Sequence, residues 1–467
     1  MSITEKEISF YEIEKRIQRK CHELGREQLK EILESRDKEL AETRDRSVYR
    51  HKGKRKTVIK TVMGEVEYER AVYETLSEGG IRSYVYLLDE SMGISGSGFM
   101  SGLLSEQIAH ASCESSYRRA ARCVSDMTGQ RISHMTAWKV VQSVAEMVEE
   151  DERKAAKAAA VGKGSGIVER KLLFEEQDGI WLKLQGKSRK QHGRGREMKL
   201  AIAYEGARKV GAGRYELSNK VVYSGFEETE KFQERKEGAI AAVYKADDIE
   251  IRLLGGDGAR WIRQGITDET VHFQLDPFHR NKAIRQYVKD PQMQSRMYEL
   301  LHAKDIDMLL TYIQALSNSV EDEEECDGLL KLLNYFTNNK DGLIPFNERG
   351  MKLPEPPDGV EYRRMGSMES NVFTIIGNRM KGRRACWSTR GANNLARLLC
   401  LKAMNKLPLT LRSLSRRVLP EKYAYELCIL TPSKVAQVVG KGYDGYTKAA
   451  PPPATPDYRW LRGLGTL

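Results

Sequence analysis

The stretch Lys171-Leu172-Leu173-Phe174-Glu175-Glu176-Gln177-Asp178-Gly179-Ile180-Trp181-Leu182-Lys183-Leu184 decides how this chain is read. It is a strand pattern with an acid, Asp178, in its middle. Working outward, residues 199–204 read as a second strand and 215–223 as a third. A helix follows over 229–244. A fourth strand over 249–254 ends in Gly255-Gly256-Asp257-Gly258-Ala259. A fifth, 272–275, leads into Asp276-Pro277-Phe278-His279 and a helix from 281 to 287.

Three successive strands, a helix, a strand, a helix and a strand is the order of an α/β ribonuclease H-like core. In that arrangement the first and fourth strands are neighbours, so the carboxylates of Asp178 and Asp257 would converge. Crowded anions repel and take up protons unless a cation sits between them. Mg²⁺ is a hard ion that prefers oxygen ligands. Two such ions about 4 Å apart can activate the attacking oxygen and stabilise the leaving oxygen of a phosphodiester. The glycines around Asp257 let backbone and phosphate approach closely. Taken singly, Gly-Asp-Gly also reads as an ordinary turn, and Asp178-Gly179 as the end of a strand.

Residues 289–345 read as an all-α insertion, and the acidic run at 321–325 as a solvated loop. Beyond it, Ser367 can cap a helix that carries Glu369 in its first turn, where an acid also suits the helix dipole. Arg379, Lys381, Arg383, Arg384 and Trp387-Ser388 then form a basic, aromatic-punctuated stretch suited to a bound DNA strand. A second basic tip, Lys187, Arg189, Lys190, Arg194 and Arg196, lies between the first two strands and suits phosphate contacts.

The N-terminal part is different in texture. Residues 1–46 read as a helical arm that is solvated or a dimer contact, and 47–100 as a β-hairpin region turning at Met63-Gly64-Glu65. The basic run from Arg50 to Lys56 is a phosphate grip or a solvated loop. Residues 101–150 give helix, short Gly-containing turn and helix, with Ser133 as cap. In a helix-turn-helix reading His134, Thr136, Lys139 and Gln142 lie toward a DNA groove; a plain helical hairpin is the other reading. A linker rich in Ala, Lys and Gly over 152–166 separates this region from the core, whose parts are 167–288, the insertion at 289–345 and 346–410. A C-terminal tail occupies 411–467.

The whole chain has 467 residues, 31% of them charged and 40% hydrophobic, with a formal net charge of +11. That length calls for several domains, and that charge favours a polyanionic partner. The seven cysteines form no C-x-x-C pair, which argues against zinc-finger spacing and for reduced thiols in a cytoplasm. No apolar run reaches the roughly 18 residues of a membrane helix, and residues 1–19 lack the apolar core of a signal peptide.

Taken together, Asp178-Gly179, the run Gly256-Asp257-Gly258-Ala259-Arg260-Trp261-Ile262, Leu275-Asp276-Pro277-Phe278-His279, Ser367-Met368-Glu369 and Ile132-Ser133-His134-Met135-Thr136-Ala137-Trp138 resemble the ISLre-type transposases of bacterial insertion sequences. Those are long known as an uncharacterised protein family, and are more distantly similar to the Mutator-like transposases. The resemblance spans nearly the whole chain and implies a DDE nuclease and strand transferase. It would use two Mg²⁺ or Mn²⁺ ions held by Asp178, Asp257 and Glu369, and act as a homo-oligomer on the terminal inverted repeats and target of double-stranded DNA. Asp276 and His279 match a D-x-x-H motif of related transposases, here read as structural and hydrogen-bonding. Some relatives carry Lys or Arg seven residues after the Glu; Ile376 stands there in this chain, so Arg379 would substitute. The competing expectations are a catalytically silent DNA-binding regulator derived from a transposase, and a ribonuclease H-like repair nuclease.

Overall fold

The computed structural model describes residues 8–76, 82–93, 100–382 and 384–414. They belong to two compact units that divide between residues 99 and 100.

The first unit comprises α1 (Phe10–Thr43), β1 (Arg50–Thr61), β2 (Gly64–Leu76), β3 (Arg82–Val85) and α2 (Leu87–Met92). The hairpin turns where the sequence places it, with Thr61 opposite Gly64. The expected arm is not free, because α1 lays Leu33 into a core with Ile59, Val66, Tyr68 and Leu88. Its buried Asp37 accepts the Ala71 N–H at 3.1 Å. The expected arm and hairpin region therefore share one core through α1, β1, β2 and α2. The basic run from Arg50 lies within β1, an edge strand of the sheet β1-β2-β3, where Lys and Arg also discourage pairing with another sheet.

The second unit begins with three helices, α3 (Gly102–Glu114), α4 (Tyr117–Thr128) and α5 (His134–Ala160). Ser133 caps α5, accepting the Thr136 N–H at 3.0 Å. Then come β4 (Leu172–Lys183), α6 (Gly186–His192), β5 (Gly195–Tyr204), β6 (Ala207–Gly211), β7 (Arg214–Leu217), β8 (Val221–Gly225), α7 (Thr229–Ala241), β9 (Ile251–Gly256), α8 (Arg260–Arg263), β10 (Val271–Leu275) and α9 (Pro277–Tyr287). The insertion supplies α10 (Pro291–His302), α11 (Ile306–Ser319) and α12 (Glu323–Asn338). After it follow β11 (Val360–Glu361), α13 (Met368–Asn371), a π-helical turn over Val372–Gly377, α14 (Asn378–Met380), α15 (Thr389–Ala403) and α16 (Leu407–Leu414).

Five strands make the main sheet in the order β10-β9-β4-β5-β8. The central strand β4 runs antiparallel to β5 and parallel to β9; β5 and β8 are antiparallel, β9 and β10 parallel. One core joins β4, β5 and β8 to α3, α5, the 375–380 stretch and α15. Phe232 and Ile240 of α7 pack in separate clusters against the sheet. A further core gathers β9 and β10 with α9–α12.

Several expectations change. The third strand, expected over 215–223, is two strands: Asn219 takes a left-handed φ of 48°, tolerable for Asn, and turns the chain. Here β7 joins a small sheet, β11-β6-β7, and β8 joins the main one. The acidic run at 321–325 is not a loop. Asp322 caps α12 by accepting the Glu325 N–H at 2.9 Å, and Glu323–Glu325 fill the first turn, where the helix dipole favours acids. The basic tip after β4 is the helix α6. The 101–150 region and the 152–166 stretch do not stand apart from the core: Val141, Val144, Ala145 and Val148 of α5 pack in it, Ala156 is buried, and the Gly166 N–H donates to the Ala241 carbonyl of α7 at 2.8 Å. Of the tail expected over 411–467, all beyond 414 lies outside the described residues. No described helix is long and apolar enough to cross a membrane.

Candidate metal centre

The carboxyl ends of three neighbouring parallel strands converge. Glu176 stands beside Gly255, and Leu275 beside Gly256. Carried one or two residues further, those registers set Asp178, still within β4 and paired with β5, beside Asp257 and Asp276 just past the ends of β9 and β10. This is where open α/β sheets put their ligands.

Asp178, His279 and Glu369 each offer a ligand atom, and these atoms all lie within 4.8 Å of one another. His279 Nε2 is 3.8 Å from Asp178 Oδ2. Asp178 and His279 are half-buried and Glu369 is exposed. Proximity to the Asp178 carboxylate raises the pKa of the His279 imidazole, against burial, and the charges of Asp257 and Asp276 push the same way. The compact group thus contains His279, which the sequence reading assigns a structural role, and leaves Asp257 at its edge. Asp257 Oδ1 instead accepts the Ala259 N–H at 2.8 Å. Burial raises the Asp257 pKa, and Asp178 adds to it. Its loop is locked from the insertion: the Tyr335 hydroxyl donates to the Asp257 carbonyl at 2.8 Å. Gly258, at φ +81°, lies so near Asn339 that an added Cβ would stand 2.3 Å from Oδ1.

Asp276 caps α9, accepting the Phe278 N–H at 2.7 Å, while its own N–H reaches the Gly256 carbonyl. Two acids escape the sequence reading. Glu197 of β5 projects over Gly179, where a Cβ would meet its Oε1, and its pKa is raised by burial and then by Asp257 and Asp178. Glu176, two residues before Asp178, is buried. Strand alternation puts it on the same face as Asp178, the one signal that could have found it. Ser367 precedes α13 as expected, yet its side chain caps nothing; the hydroxyl goes to Glu176.

Two carboxylates and an imidazole suit Mn²⁺ or, with waters completing the shell, Mg²⁺. Burial is the main cause of the raised Asp257 and Glu197 carboxyls, and neighbouring carboxylates add a smaller repulsion that a cation would relieve.

The basic candidates divide. Lys187, Arg189, Lys190 and Arg194 are exposed on and after α6, as are Lys381 and Arg384. Gln185 N–H donates to the Trp387 carbonyl at 2.8 Å and Thr389 N–H to Ser188 Oγ at 3.0 Å, so two stretches distant in sequence form one basic surface. Arg196 is occupied by the Phe226 carbonyl and Glu228. Arg379 is a correction: it donates to the Ser112 carbonyl at 2.8 Å, lies near the rings of Tyr117 and Trp387, and ties α3 to the Glu369 helix. Gln142 is another: it is buried and accepts from Asn394 at 2.8 Å, because α15 covers that face of α5. His134 and Lys139 are exposed, and Thr136 is half-buried beside the Ser133 hydroxyl. Arg383 lies outside the described residues.

The sequence profile of a family described as "Uncharacterised protein family (UPF0236)" matches residues 3–407. Similar relatives are UPF0236 proteins of Caldanaerobacter subterraneus subsp. tengcongensis. One is 25% identical over 400 residues, covering 84% of this chain and 78% of its own length. A second, again 25% identical, covers 84% and 74%. Both names span several loci of that genome, four in the first case and two in the second.

Proposed function

The chain belongs to the UPF0236 family, and on that footing we propose that it is a DDE-type transposase that cuts and joins DNA at the ends of a mobile element. The observation that carries the reading is the meeting of Asp178, His279 and Glu369, drawn from a strand, a helix N-terminus and a segment 190 residues away, with Asp257 on the adjoining strand end. The strand order and directions of the main sheet, with antiparallel pairing from the central β4 through β5 and β8 on one side and parallel pairing through β9 and β10 on the other, support a ribonuclease H-like core. Relatives whose names span several loci of one genome support a gene carried by an element that multiplies.

Asp178, Glu369 and His279 would hold a divalent ion, and Asp257 and Glu197 a second beside it. Bound there, such ions supply charge stabilisation and an activated oxygen for in-line displacement at phosphorus. The rest falls to the chain itself. The exposed cations of α6 and of Lys381 and Arg384 would grip a DNA backbone beside the acids, and the exposed start of α5 at His134 and Lys139 would meet a groove. His279 Nε2 lies 3.8 Å from Asp178 Oδ2, so the imidazole and that carboxylate would flank the same ion.

The test uses the full chain with Mn²⁺ or Mg²⁺ and a duplex carrying the DNA that flanks its gene. Strand cleavage followed by joining of the freed end to a second duplex is expected. Asp178→Asn and Asp257→Asn should each abolish cleavage and leave duplex binding intact. Cutting without joining favours a repair nuclease; binding without cutting favours a regulator.

A further inference from the structure

Glu176 is 2% exposed in the sheet core, two residues before Asp178 on β4. Its carboxylate accepts four hydrogen bonds. Oε1 takes the Tyr204 hydroxyl at 2.6 Å and the Ser367 hydroxyl at 2.6 Å. Oε2 takes the Gly366 N–H at 3.0 Å and the Met368 N–H at 3.1 Å. The four bonds occupy both oxygens, and they favour the carboxylate against burial, which still raises the Glu176 pKa.

Three of those donors belong to consecutive residues, Gly366, Ser367 and Met368, and the next residue is Glu369. Burying a charge is costly unless it is fully hydrogen-bonded. Here the bonds go to one short segment that enters α13, whose N-terminal N–H groups would otherwise lack partners. A neutral Ser, Thr or Asn cap could stabilise that helix more cheaply. What a carboxylate fixed on β4 adds is registration. The strand that presents Asp178 also grips the segment that presents Glu369, so the separation of the two acids is set by the pitch of one strand.

We infer that Glu176 is a positioning residue that holds Glu369 opposite Asp178, and that divalent-ion affinity depends on it although it touches no ion. The inference rests on the metal-centre reading above and deepens it. Outer groups that orient ligands commonly change metal affinity by about 10- to 100-fold.

Two substitutions make a matched pair. Ser367→Ala and Tyr204→Phe each delete one hydroxyl bond of the same length to the same oxygen, the first from the Glu369 segment and the second from β5. The full chain is titrated with Mn²⁺, following free ion by electron paramagnetic resonance, with thermal unfolding in parallel. Ser367→Ala should weaken Mn²⁺ binding about tenfold, and Tyr204→Phe by less than about twofold, whatever each does to the unfolding midpoint. Glu176→Gln, if it folds, should weaken binding about 100-fold. Equal shifts for the pair, or none for Ser367→Ala, overturn the inference. Wild-type chain that binds no Mn²⁺ overturns the metal centre and this inference together. Wild-type chain that binds Mn²⁺ without cutting DNA overturns only the transposase reading.

Discussion

Asp257 is held from outside its own strand. The Tyr335 hydroxyl bonds its carbonyl and Asn339 packs against Gly258, so the insertion fixes the loop. Tyr335→Phe should cost about 0.5–1.5 kcal/mol, the usual net worth of one such bond. It should also slow metal-dependent cleavage about tenfold while duplex binding stays the same, because a loosened loop misplaces Asp257. Thermal unfolding and single-turnover cleavage measure the two effects. An unchanged cleavage rate would show that Asp257 needs no support from the insertion.

Among the elements, α5 and α7 meet at a point where only hydrogen fits. A Cβ on Gly238 would stand 2.5 Å from the Ala156 Cα and 2.6 Å from its N, both backbone atoms that cannot rotate away. Gly238→Ala should therefore destabilise the second unit by about 1–3 kcal/mol, the range for overpacking, despite the better helix propensity of Ala. A denaturant midpoint that rises would refute this close packing. For α6 the expectation concerns binding. Changing Lys187, Arg189, Lys190 and Arg194 together to Ala should flatten the dependence of log affinity for duplex DNA on log salt by about 0.9 per lost phosphate contact. An unaltered slope would take α6 out of the DNA path.

For the molecule as a whole, one ion-pair network contributes to the response to acid. Glu175, Lys236, Glu237 and Arg252 form one ion-pair network joining β4, α7 and β9. Burial works to raise the Glu237 pKa, but the Lys236 and Arg252 charges prevail and hold it at about 2. A carboxylate lower in the folded chain than its unfolded value of about 4.3 stabilises the fold above that value. The advantage is lost as pH falls toward 2. Stability should thus drop between about pH 4.5 and 2, and Glu237→Gln should make that drop shallower in chemical denaturation run at several pH values. An identical profile for the variant would exclude Glu237 as a contributor.

Much of this is legible in the sequence. The strands around Asp178 and Asp257, the hairpin at Met63-Gly64, the Ser133 cap and the α-helical insertion follow from periodicity, turn residues and caps, which act between near neighbours in the chain. The clustering of Asp178 with Glu369 was an expectation drawn from motifs. That His279 joins them and Asp257 stays at the rim depended on how strand ends and α9 pack. Likewise only packing could tell which polar groups lose their access to solvent. Gln142, Arg379 and Glu176 look in sequence like any surface residue, and each is committed inside the second unit by a partner at least 190 residues away. A side chain's chemistry is local, but the desolvation and hydrogen bonding that give it a role come from whatever the fold sets against it.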